Sequence, residues 1–164
     1  RRRAVEPATW HRRAWRHVQT VFEGQSDALA AGKANAALTE VRVRDALLVW
    51  WASGDSEAAL DVLDGRETSL VADALESLVG DTVVAPPAAA VEGCRVLAAY
   101  ARPRERKVVD ALRAVLAWRS GDNEGARRLA ERALAEDPSY TLAALVSRLA
   151  VLRGGRVDGD RVDV

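Results

Sequence analysis

The sequence predicts an all-α protein, an array of antiparallel helix pairs with about eight helices in all. Three observations lead there. Apolar residues recur three and four positions apart along nearly the whole chain. Gly, Pro and Asp punctuate those stretches at short intervals, and only residues 81–85 have strand character. That stretch is too short to build a sheet and reads as a loop.

Each element follows from the same two signals. Trp10, Ala14, Val18 and Phe22 stand four apart with Trp15 and Val21 beside them, while Arg12, Arg13, Arg16 and Gln19 lie mostly opposite. This pattern predicts an amphipathic helix over 9–23, entered at Pro7 and left at Gly24. A shorter helix over about 26–38 is weakened by Gly32. Residues 41–53 form the most apolar segment, with Val43, Leu47, Leu48, Trp50 and Trp51. Gly54-Asp55 ends it, Ser56 caps the next helix, and Gly65 stops that one. Thr68 or Ser69 starts a segment carrying Leu70, Ala74, Leu75 and Leu78, closed by Gly80. Pro86-Pro87 opens a helix whose Val91, Cys94, Leu97 and Ala98 share a face, and Pro103 opens another, with Val108, Leu112, Val115, Leu116 and Trp118. Residues 123–135 and 139–152 complete the set. The expected organisation is one helical domain over 1–153 and a flexible tail over 154–164.

Composition excludes several classes. Across 164 residues, 24 basic side chains balance 24 acidic ones, and 49% of the chain is hydrophobic. That is the profile of a globular protein rather than a disordered one. The longest apolar run, Ala46 to Ala52, falls far short of the roughly 20 residues that a spanning helix needs. Cys94 is the only cysteine, which suits a reducing compartment and an expected cytoplasmic location. Only Lys33 and Lys107 are lysine; the skew to Arg, with abundant Ala and Val, points to a GC-rich genome.

The most informative motif runs from Gly121 to Pro138. Gly121, Ala126, Ala133 and Pro138 have the spacing G-x4-A-x6-A-x4-P, with Trp118 just before it and Asp122 and Tyr140 flanking its turns. Gly permits a tight turn between two helices, the alanines let helices approach closely, and Pro breaks the second helix and starts the next. The pattern resembles the second half of a tetratricopeptide repeat. A fainter copy lies 67 residues earlier, where the nine residues from Trp51 match those from Trp118 at six positions. The later slots fail, because Arg66 stands in the place of Ala133 and Val71 in that of Pro138.

Three further segments carry a second resemblance: Val43 to Leu48, Trp118 to Asp122, and Ala130 to Ala143. Together they look like the C-terminal half of an actinobacterial family described as a domain of unknown function, numbered four-one-nine-two. The match covers roughly residues 36–150. It implies an upstream N-terminal region that holds any chemistry, and it carries over no catalytic residues. A start at Arg and the absence of Met agree with that expectation.

Catalytic signatures are absent: no G-x-S-x-G, no G-x-x-x-x-G-K and no H-E-x-x-H. His11 and His17, six positions apart, project about 120° from one another on a helix and do not share a metal. Asp158, Asp160 and Asp163 lack the rest of a calcium loop. Glu57 and Glu124 follow the turn glycines, where a carboxylate favours the helix dipole. No cofactor or metal is expected.

The first 20 residues hold Arg1, Arg2, Arg3, Arg12, Arg13 and Arg16 against the single acid Glu6. With Trp10 and Trp15 this makes Trp10, Arg12, Arg13, Trp15 and Arg16 the candidate interaction surface. The expected function is a non-enzymatic interaction or scaffolding module, binding a protein or peptide partner or the upstream region. The alternatives are nucleic-acid binding through the Arg-rich helix, or a helical accessory half of an enzyme whose site lies upstream.

Overall fold

The helices begin and end where local chemistry directs the backbone. A computed structural model describes residues 7–25 and 27–159. In chain order it contains α1 (Pro7–Phe22), α2 (Ala28–Leu38), α3 (Val41–Ser53), α4 (Ser56–Asp64), α5 (Ser69–Val79), α6 (Ala88–Tyr100), α7 (Pro103–Arg119), α8 (Asn123–Glu136) and α9 (Thr141–Gly159). The all-α class is therefore correct, with no strand among the described residues. The described residues form nine helices, one for each segment read from the sequence, against an expected total of about eight. Residues 81–85 are a loop, tied down where Val84 N–H donates to the Arg119 carbonyl at 2.8 Å.

Side chains satisfy the orphan donors at four helix starts. Asp27 accepts from Ala30 N–H, Asp55 from Glu57, Thr68 from Val71 and Asp122 from Gly125. Asp55, not Ser56, is thus the cap of α4. Gly54 and Gly121 adopt left-handed φ values of 69° and 86° just ahead of the cap aspartates. The two W-x-S-G-D copies therefore share one stop-and-restart turn. They diverge afterwards for a simple reason: α4 ends at Asp64, so Arg66 lies outside any helix, whereas α8 continues past Ala133.

The packing centre is α7, which touches α2, α6, α8 and α9. Ala126, Ala130 and Ala133 form one stripe along α8 and are completely buried between α7 and α9. Trp118 is buried at the end of α7, and the Arg153 guanidinium covers its ring 4.0 Å from the centroid. Arg153 also donates to the Trp118 carbonyl at 2.6 Å and to the Gly80 carbonyl at 3.3 Å. This side chain joins α9 to the ends of α5 and α7.

The last helix runs past the expected domain edge at 153. It continues through Gly154 and Gly155 to Gly159 instead of fraying after 153. Glycine lowers helix propensity by about 1 kcal/mol without forbidding helical backbone, and the Arg153 anchor holds the preceding turn. Residues 160–164, with Asp160 and Asp163, lie outside the described residues, as do Arg1, Arg2, Arg3 and Glu6. Pro138 does not start α9. It stands in the turn after the Asp137 cap, and the helix begins at Thr141.

Candidate functional site

The surface hollows of this arrangement include one over α7 and one between α1 and α2. Because α6 and α8 both pack against α7, the space between them is an open groove of about 420 Å³. Its apolar lining comes from all three helices: Val91 and Ala98 of α6, Leu116 and Ala117 of α7, and Leu129 of α8. Val91 and Ala98 were expected to share a face with Cys94 and Leu97. The structure instead turns Ala90, Gly93, Cys94 and Leu97 inward and leaves Val91 and Ala98 exposed. Positions 91 and 98, seven apart, form a second stripe on the same helix.

Arg95 and Arg113 line this groove, and Arg106, Arg128 and Arg132 line the hollows that adjoin it. Arg95 grips Glu92 through two hydrogen bonds of 2.8 and 2.6 Å, which hold the Glu92 carboxyl below its usual range. Arg113 lies 3.7 Å from Asp110, and Arg132 bonds the same carboxylate. Arg128 lies 3.3 Å from Glu124. Arg106, beside Asp110 in the adjoining hollow, makes no ion pair among the described residues. Cys94 lies under the groove, and burial pushes its thiol pKa up to about 12. That thiol is a core group and not a nucleophile.

The second hollow, about 210 Å³, lies between α1 and α2. Trp10, Arg13, Ala14 and His17 form one face of α1, at the spacing i, i+3, i+4, i+7. Lys33, Ala36 and Ala37 of α2 stand across from them. Trp10 is 43% exposed, with its ring edge-on to His11 at 5.4 Å. Partial burial and the charges of Lys33, Arg16 and Arg13 keep the His17 pKa below its ordinary value.

The structure divides the candidate surface read from the sequence. Trp10, Arg13 and Arg16 are exposed on α1. Trp15 is not part of any surface: it is 2% exposed and packs edge-on against Trp50 at 5.7 Å. Ala14, Val18, Val21 and Phe22 are buried as well, so the apolar arc of α1 is wide enough to take Trp15 inward. Arg12 is exposed but committed, because its Nε and Nη2 donate to Asp64 at 3.1 and 2.7 Å. His11 is buried, with Nε2 3.7 Å from Glu40.

Among the repeat residues, Trp118, Ala126 and Ala133 are core while Gly121, Asp122 and Pro138 belong to turns. Tyr140 receives a 3.2 Å hydrogen bond from Arg44 and lies under the cations of Arg44 and Lys107. Lys107 in turn donates to Asp137 at 2.7 Å, and this bond, with those from Ser139, lowers the Asp137 pKa to about 2. These contacts tie α3, α7 and the turn before α9 together.

Sequence reasoning missed Lys33 and the outward stripe of α6. Lys33 was visible as one of two lysines, but nothing local places it opposite Arg13. Among the described residues no group of three His, Cys, Asp or Glu is placed to hold a metal ion, and no helix is long and apolar enough to cross a membrane. No protein family, curated protein or solved structure matches the chain.

Proposed function

We propose that this chain is a non-enzymatic helical-repeat interaction module whose α6–α7–α8 groove holds an acidic, apolar segment of a partner protein. The observation that supports this reading is the groove itself: an apolar floor built from three helices with arginines along its rim. Apolar side chains of the partner would gain by leaving water along Val91, Leu116 and Leu129. Carboxylates would meet Arg95 and Arg113, with no acid among the residues that line the groove itself, which sets orientation and selects against basic segments.

The test is fluorescence anisotropy with labelled peptides carrying leucine among glutamates, against peptides of the same apolar content carrying lysines. The acidic set should bind, and Val91→Asp with Leu129→Asp should abolish binding while the helical circular dichroism stays unchanged. Equal binding of both sets, or indifference to the two substitutions, would refute the proposal.

A further inference from the structure

We infer that the hollow between α1 and α2 is a nucleotide-binding site, in which Arg13 and Lys33 hold a phosphate and the exposed face of Trp10 stacks the base. It is separate from the groove over α7 and does not depend on the reading given to that groove.

The argument rests on where the chain leaves positive charge uncompensated. The molecule is neutral overall, with 24 basic and 24 acidic residues. Several arginines elsewhere rest against an acid: Arg12 on Asp64, Arg44 on Asp45, Arg66 on Asp61, Arg95 on Glu92, Arg127 on Glu124 and Arg132 on Asp110. Arg13, Arg16 and Lys33 have no such partner among the described residues, although they come from two different helices and act on one imidazole. Beside partial burial, the groups that lower the His17 pKa are the cations Lys33, Arg16 and Arg13. Such a concentration of like charge raises the free energy of the empty site and is relieved by an anion.

Shape and chemistry narrow the anion. The floor is alanine on both sides, Ala14 and Ala37 buried and Ala36 exposed, so the hollow has depth without side chains filling it. A bare phosphate would use the cations and leave Trp10 idle. Trp10 is the most exposed of the five tryptophans and sits at one end of this hollow, within the same helix face as Arg13 and His17. An indole beside a cationic slot is the combination that binds a phosphate and a neighbouring base together, since every base offers a face for stacking. His17, on the same helix face, carries a ring N–H that can donate to the phosphate or sugar.

The experiment titrates the full chain with a short single-stranded oligothymidylate, thymidine monophosphate, thymidine and inorganic phosphate at low salt. The strand and the monophosphate should bind, and thymidine and inorganic phosphate should bind much more weakly. Strand binding tighter than that of the monophosphate assigns the site to single-stranded nucleic acid; equal binding assigns it to a free nucleotide. Trp10→Ala should weaken nucleotide binding about fivefold or more, with Trp10→Phe retaining most of it. Lys33→Ala and Arg13→Ala should weaken it and lower the salt dependence, each by about one unit of slope for strand. Ala36→Leu fills the hollow without changing charge and should also abolish binding. The inference fails if Trp10→Ala and Ala36→Leu change nothing, or if inorganic phosphate binds as well as the nucleotide. It fails equally if Arg148→Ala, on the distant face of α9, weakens binding as much as Lys33→Ala. All these positions except Ala14 and Ala37 are solvent-facing, and circular dichroism confirms that each variant is folded.

Discussion

Gly93→Ala measures how closely α6 rides on α1. A Cβ at Gly93 would lie 2.3 Å from both Cδ1 and Cε1 of Phe22, where ordinary contact begins at 3.4 Å. One partner must therefore retreat by about 1.1 Å, the difference between those two distances. Phe22 has nowhere to go. It is buried, and its ring packs edge-on against Trp50 and Trp51 with centroids 6.5 and 5.6 Å away. Overpacking of this kind costs about 1–3 kcal/mol, and the better helix propensity of alanine returns about 1 kcal/mol. With the ring boxed in, a net loss of about 1–2 kcal/mol is expected, and a fall in Tm of about 2–8 °C for a chain of this size. Urea denaturation followed by circular dichroism reads it. Gly32→Ala is the internal control, because a Cβ there meets nothing within 4 Å, and it should stabilise α2 by up to about 1 kcal/mol. Combining Gly93→Ala with Phe22→Leu should cost less than the two single changes added together. If Gly93→Ala stabilised the protein as Gly32→Ala does, the close contact between α6 and α1 would be refuted.

Ala126→Leu and Ala133→Leu should each lower stability by about 1–3 kcal/mol, since both methyl groups are fully enclosed between α7 and α9; unchanged denaturation midpoints in both would remove the close helix contact. Asp137 has a folded pKa lowered to about 2, so its contribution to stability is present above the ordinary carboxylate range and is lost as pH falls through about 2. Asp137→Asn should therefore flatten the acid limb of the stability profile, and an unchanged limb would count against the Lys107 contact. Cys94, with its thiol pushed to about 12, should react with thiol reagents only as fast as the chain unfolds; rapid labelling of the native protein would contradict its burial.

Stops and caps were the legible part of this fold, because each is written in two or three adjacent residues. Gly54-Asp55 and Gly121-Asp122 announce their turns through a left-handed glycine and a capping carboxylate, neither of which needs the rest of the molecule. Facing was harder. α6 carries two apolar stripes, and a sequence cannot say which meets the core. The decision belongs to Gly93, whose missing side chain admits Phe22 and so fixes the rotation of the helix. Trp15 shows the same difficulty, since its placement depends on Trp50, far along the chain. The candidate surface was half legible. Arg12 and Arg13 are neighbours with equal chemistry, but Asp64 neutralises only Arg12. That partner stands 52 positions away, and the cation opposite Arg13 comes from another helix.

The two hollows present the same residue type in opposite electrostatic states, and ionic strength separates them. Around the groove over α7, Arg95, Arg113, Arg128 and Arg132 already rest against carboxylates. A partner's carboxylate there exchanges one ion pair for another, so few counterions are released and affinity depends chiefly on apolar burial. Between α1 and α2 the cations have no ion-pair partner among the described residues, so a bound strand displaces solution anions and counterions. With two or three phosphate contacts the slope of log affinity against log salt should be about −2 for a single strand. Acidic peptide binding to the groove should show a slope much closer to zero across the same salt series. Equal slopes would mean that the arginines of the groove act as free charges, and the distinction drawn between paired and unpaired cations would then carry no functional weight.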